Sequence, residues 1–179
     1  MYQTLKQYNN LLYRDATALP QNIAVQIVNV VFPPGDTDYS FVTYNLNQGV
    51  LDWAVLYSFV SFLQTYISPV PYDHATFVTG FDLRYYGAAI NGDAFLRSMC
   101  IQWVFDYGYH SSIAAFNADA IETMAQLLGY GFGMGVDGWW NSCQRKFIMS
   151  SVWPQESSST FPDRRTFSQC SSDELESFT

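Results

Sequence analysis

Charge is scarce in this chain. Asp, Glu, Lys and Arg make up 13% of its 179 residues, about half the share usual in a soluble protein. Lysine occurs only at Lys6 and Lys146, and the net charge is −8. Basic residues adjoin only as Arg145–Lys146 and Arg164–Arg165. That is too little to hold a polyanionic backbone, so direct binding to nucleic acid is not expected. Histidine also occurs twice, and neither H-x-x-x-H nor H-E-x-x-H spacing is present. The three cysteines, Cys100, Cys143 and Cys170, are widely spaced, odd in number and outside any C-x-x-C. This argues against a disulfide framework and predicts a reduced intracellular protein with buried thiols at Cys100 and Cys143. No Asn-x-Ser/Thr acceptor occurs, and the first fifteen residues lack the apolar core of a signal peptide. An intracellular location, or a virion assembled inside a cell, is therefore expected. P-loop, calcium-loop and G-x-S-x-G patterns are missing as well.

Apolar and aromatic residues are plentiful, at 49% and 18%. The length suits one domain able to bury a core without metals or disulfides. Residues 2–14 read as a short amphipathic helix, and 22–32, NIAVQIVNVVF, as a buried β-branched strand. The alternation of 39–46, YSFVTYNL, predicts a second strand paired with it. Segment 50–68 reads as the central helix, apolar on most sides with a stripe of small residues. No charge lies between Asp52 and Asp73. A core helix is nevertheless preferred to a membrane span, because the segment holds hydroxyls and Gln64 and has no basic flank. A strand at 76–86 and helices at 94–107 and from Asn117 or Asp119 follow, the last with Asp119-x-x-Glu122 resembling a capping box. The expected fold is α+β: a small antiparallel sheet on several largely buried helices. Residues 1–149 form the globular domain, and the Ser-rich, acidic 150–179 an extended C-terminal arm.

Residues 133–138, GMGVDG, have the G-x-G-x-x-G spacing of a dinucleotide turn. A helical segment precedes them where a strand is required, and no second strand carries an acidic partner. No cofactor is therefore expected. Three other readings exist for the glycines at 129, 131, 133 and 135. They are a small-residue helix face for tight packing, an extended strand with one smooth side, or a membrane-interface segment. For the last, GMGVDGWW resembles part of the viral fusion peptides of the haemagglutinin type over about eight residues, although it is internal rather than terminal. Packing of a glycine face is the preferred reading.

Candidate chemistry is thin. His74 follows Asp73 in a loop, and His110 lies four residues after Asp106. Neither spacing supports a metal, so no metal site is expected. Cys143, with Arg145 and Lys146 nearby, is a better nucleophile candidate than Cys100, which sits on a buried row. Thr166, Ser168, Ser171 and Ser172 lie in a stretch with kinase-like spacing from Arg165. The composition predicts a structural subunit of a large assembly, of the viral capsid or coat kind, touching copies of itself or other subunits. Its interaction residues would be Gly129, Gly131, Gly133, Gly135, Trp139, Trp140, Trp153, Phe161 and Phe167. The alternatives are a membrane-associated subunit using 50–68 and 129–138, and an enzyme with a site near His74 or His110.

Overall fold

The computed structural model of the chain describes residues 19, 23–32, 35, 39–66, 72–99, 109–139, 141–150 and 166–178. The architecture is α+β, as expected, but with two small sheets rather than one. The first has strand order β1-β2-β4-β5, from Leu46–Asn47, Val50–Asp52, Asp82–Tyr85 and Ala88–Ile90. The second has order β3-β7-β6, from Ala75–Thr79, Ser111–Ala115 and Gly92–Ala94. Each is mixed rather than purely antiparallel. β2 runs parallel to β4 and β3 parallel to β7, while the other pairs are antiparallel. Four helices complete the described fold: α1 (Ser40–Asn45), α2 (Val55–Tyr66), α3 (Ala120–Gly131) and α4 (Gln169–Glu176).

Several elements differ from the sequence reading. Within 39–46, Ser40–Asn45 form α1 and only Leu46 is strand: Phe41 and Val42 both turn into the core, and Asn45 Nδ2 ties the helix end to Phe41 O and Ser58 Oγ. Adjacent buried residues suit a helical face and defeat alternation. Residues 23–32 make no strand; Ile23 and Val25 pack on the core while Val28, Val31 and Phe32 lie exposed. The long helix of 50–68 is divided into β2 and the twelve-residue α2. Val55, Leu56, Phe59, Val60 and Leu63 are buried on α2, and Tyr57, Ser61 and Thr65 face water. Among the described residues no helix is long and apolar enough to cross a membrane. Residues 92–94 are strand and 95–99 turns, so the helix expected from 94 does not begin there; 100–108 lie outside the described residues. The predicted helix 2–14 lies outside them too.

Two cores result. One joins Phe41, Leu51, Leu56, Phe59, Leu83 and Ile113 between α1, α2 and the sheets. The other joins Ala125, Met134, Ile148, Met149, Phe167 and Leu175. The second core takes in the far end of the supposed arm. Phe167 is 2% exposed and Leu175 1%, because α4 docks there instead of extending away. A disulfide, Cys143–Cys170, fixes that docking across 27 residues. Cys143 is therefore no free thiol, and the reduced pair expected at 100 and 143 is corrected. Cys100 lies outside the described residues.

Candidate functional site

Parallel pairing of β3 with β7 aligns Ala75 with Ser111, so His74 and His110 stand side by side at the strand starts. The Ala75 N–H donates to His110 O at 3.0 Å. His74 Nε2 meets Ser112 Oγ at 2.8 Å, and Ser112 Oγ meets Thr76 Oγ1 at 3.0 Å. His110 packs against the Tyr72 ring at 4.9 Å. Burial, and then the neighbouring His110, push the His74 pKa down to about 4. Ser112 is completely buried, so its hydroxyl is not offered to a substrate. No third donor side chain approaches the two imidazoles closely enough to complete a metal site among the described residues.

Helix α3 lies across the second sheet. A Cβ at Gly92 of β6 would fall 2.6 Å from Ile113 O and 3.0 Å from Leu127 Cδ1, so only glycine permits this approach. The expected helix from Asp119 is present, but the Asp119 side chain makes no cap hydrogen bond. The helix ends at Gly131, and Gly133, at φ +86°, reverses the chain. The glycine run is thus helix end and turn. A Cβ at Gly129 would meet Met149 Sδ and one at Gly131 would meet Met99 Cε, so side chains rather than a second helix fill the small face. The Gly135 N–H donates to Glu174 Oε2 at 2.7 Å. Met134, Gly135 and Val136 are buried, which leaves no membrane-interface segment there. Trp139 is exposed and lies against Arg145, and Phe167 is core. Trp140, Trp153 and Phe161 lie outside the described residues.

Around this turn, polar groups close on one another. Gln126 Nε2 donates to Ser150 O at 2.9 Å and approaches Tyr130 Oη at 3.4 Å. Burial and the carboxylates of Asp93 and Asp137 raise the Tyr130 pKa to about 12. Asp137 is wholly buried, accepting from Ser168 Oγ at 2.8 Å and Asn141 Nδ2 at 3.3 Å. Desolvation raises its pKa, opposed by those two bonds and aided by Glu174. Ser168 also caps α4 by accepting from the Ser171 N–H. Ser168, Ser171 and Ser172 are buried, which withdraws them as phosphorylation sites in the folded chain.

Comparison with protein families matches residues 47–179 to the Reprolysin (M12B) family zinc metalloprotease. The match covers most of the chain, and the chain belongs to this family. No curated protein matches it significantly. The family overturns the expectation of a capsid- or coat-type structural subunit and of a virion component. Low charge and abundant aromatics describe a surface, and a surface does not identify a fold.

The family name implies zinc. Zinc proteases with a Met-turn carry H-E-x-x-H-x-x-G-x-x-H on a helix and the turn after it, then a methionine below the metal. In this chain α3 is the helix, Gly133 the turning glycine, and the buried Met149 the following methionine. The three ligand positions then fall on Gln126, Tyr130 and Val136, and the general base on Leu127. No other register supplies a histidine, because neither His74 nor His110 lies in this segment. The residues do not fit the metal. A carboxamide is a weak zinc donor, a phenol held at about 12 keeps its proton, valine has no donor, and Leu127 is buried beneath β6. Asp137, Cys143 and Cys170 offer donor atoms within 4.8 Å of one another, but the two sulfurs are joined in the disulfide. Sequence reasoning missed Gln126, Leu127, Tyr130 and Val136. The only signals for them were a helix ending in a turning glycine and a methionine sixteen residues on, since the histidines that make the pattern visible are gone.

Proposed function

We propose that this chain is a reprolysin-family domain that recognises polypeptide without zinc-dependent hydrolysis. The observation that supports it is the replacement of the entire ligand and base set by Gln126, Leu127, Tyr130 and Val136, with Gln126 turned to Ser150 O. Hydrolysis by such a centre needs a metal-bound water and a carboxylate to take its proton. Here a buried leucine stands where that carboxylate belongs.

Polypeptide is the natural partner of a protease fold, and one edge suits it. β6 ends the second sheet, and Ala115 N–H donates to Asn91 O at 2.7 Å. Alternation then directs the backbone groups of Gly92 and Ala94 outward. The Ala94 N–H is met there by Asp93 Oδ1 at 2.9 Å. An extended segment added to this edge would gain main-chain hydrogen bonds. The disulfide supports an oxidising compartment over the reduced one expected.

The test is incubation with reduced, carboxymethylated lactalbumin, with and without added zinc, followed by hydrogen exchange of the complex. The expected result is an intact polypeptide and slowed exchange over residues 91–94. Cleavage that 1,10-phenanthroline stops would overturn the proposal.

A further inference from the structure

A second feature lies on the other side of β6. Gly92 faces α3, so the alternating Asp93 faces away from it, beside its register partner Ile113 and toward α2. There a hollow of about 410 Å³ opens to solvent. Its walls include Trp53, Tyr57, Tyr85 and Phe95, with Asp93 among them. The rings brace one another at steep angles. Trp53 and Tyr57 are 5.5 Å apart at 78°, and Tyr57 and Phe95 are 5.3 Å apart at 80°. Trp53 and Tyr85 are 5.4 Å apart at 57°. Four aromatic rings thus border one hollow, and ring faces carry negative potential.

The half-buried Asp93 carboxylate has one hydrogen bond, from the adjoining Ala94 N–H. No cation of the chain answers it among the described residues. Arg84 is held by Gly87 O, Arg97 by Ser177 O, Arg145 by Gly138 O, and Lys146 lies over Phe147. A half-buried carboxylate without a counter-charge is costly, and aromatic faces around it attract cations.

We infer that this hollow between β6, α2 and the β4–β5 hairpin binds an organic cation, an ammonium head group seated on Trp53, Tyr57 and Tyr85 and paired with Asp93. The inference does not depend on the fate of zinc, because none of Trp53, Tyr57, Tyr85 and Asp93 stands at a ligand or base position.

Calorimetric titration of the full chain tests it with three probes: choline, its uncharged carbon analogue 3,3-dimethylbutanol, and a peptide bearing one trimethyl-lysine. Choline should bind about tenfold or more tightly than the analogue. Asp93→Asn and Trp53→Leu should each weaken choline about tenfold at an unchanged melting temperature. If Asp93→Asn lowers the melting temperature, Tyr85→Leu, at an exposed position, serves in its place. A tighter peptide assigns the cation to a polypeptide side chain and a tighter choline to a small molecule; either supports the site. Equal affinity for choline and dimethylbutanol overturns it. So does no binding of either cation at about 10 mM, or undiminished choline binding by Asp93→Asn and Tyr85→Leu.

Discussion

His74 carries a pH signature that can be read directly. Its folded pKa is about 4, below the ordinary value near 6.5. The unfolded chain therefore takes up a proton in a range where the folded chain does not. Its contribution to stability is greatest above about pH 6.5, falls between about 6.5 and 4, and levels off below. Full protonation there costs up to about 3 kcal/mol. His74→Gln should flatten that part of a urea-denaturation pH profile, and a profile unchanged by the substitution would contradict the assignment. Gly133 gives a second residue-scale expectation. At φ +86°, with Arg97 Cγ 3.2 Å from where a Cβ would sit, Gly133→Ala should destabilise by roughly 1–3 kcal/mol in a thermal melt. The glycine run was visible in the sequence as a place of close approach, and so it is. That Gly133 marks a reversal below an altered metal position was not visible. Gln126, Tyr130 and Val136 are ordinary residues for a helix and a turn, and only their places in the fold give them meaning.

Among the elements, the unit of α3, the turn after it and α4 is the most interlocked. Asp137, Asn141, Ser168 and Glu174 join it through hydrogen bonds, and Cys143–Cys170 closes it covalently. Replacing both cysteines by serine should lower stability by roughly 3 kcal/mol in the chain-entropy account. It should also raise hydrogen exchange in 166–178 before the rest of the chain. Simultaneous exchange throughout would show that α4 is held by its apolar contacts alone. Element types were legible where periodicity was long and one-sided, as in α3. They were misread where tertiary contacts outweighed local pattern. YSFVTYNL alternates, yet 40–45 is helical, with Phe41 and Val42 both buried and the Phe41 ring against Phe59, Phe62 and Phe77. The helix expected at 94–107 began from a capping signal at NGD. Those residues pair with β7 instead, because Gly92 lets α3 press against the strand. The C-terminal stretch looked like an arm because its aliphatics are few. Phe167 and Leu175 are nonetheless buried in the second core, and the disulfide ties α4 to Cys143.

For the whole molecule, the α+β class followed from the mixture of short apolar segments, while the family did not. Its recognisable sequence mark is a histidine pattern that this chain lacks, while the helix, the turning Gly133 and the buried Met149 are present. Scarce charge and a high aromatic content pointed toward assembly. Some of the aromatics pack in the α2 core or line the hollow beside β6, while Phe32, Tyr44, Tyr86 and Trp139 are exposed. The central claim is that the metal position of a reprolysin fold is closed here by side chains that do not ligate. The most direct measurement is zinc content of the native chain by mass spectrometry, joined to melting temperatures with added zinc and with EDTA. The account predicts far less than one zinc per chain and the same melting temperature in both conditions. One tightly held zinc per chain, with a melting temperature that falls on chelation, would contradict it.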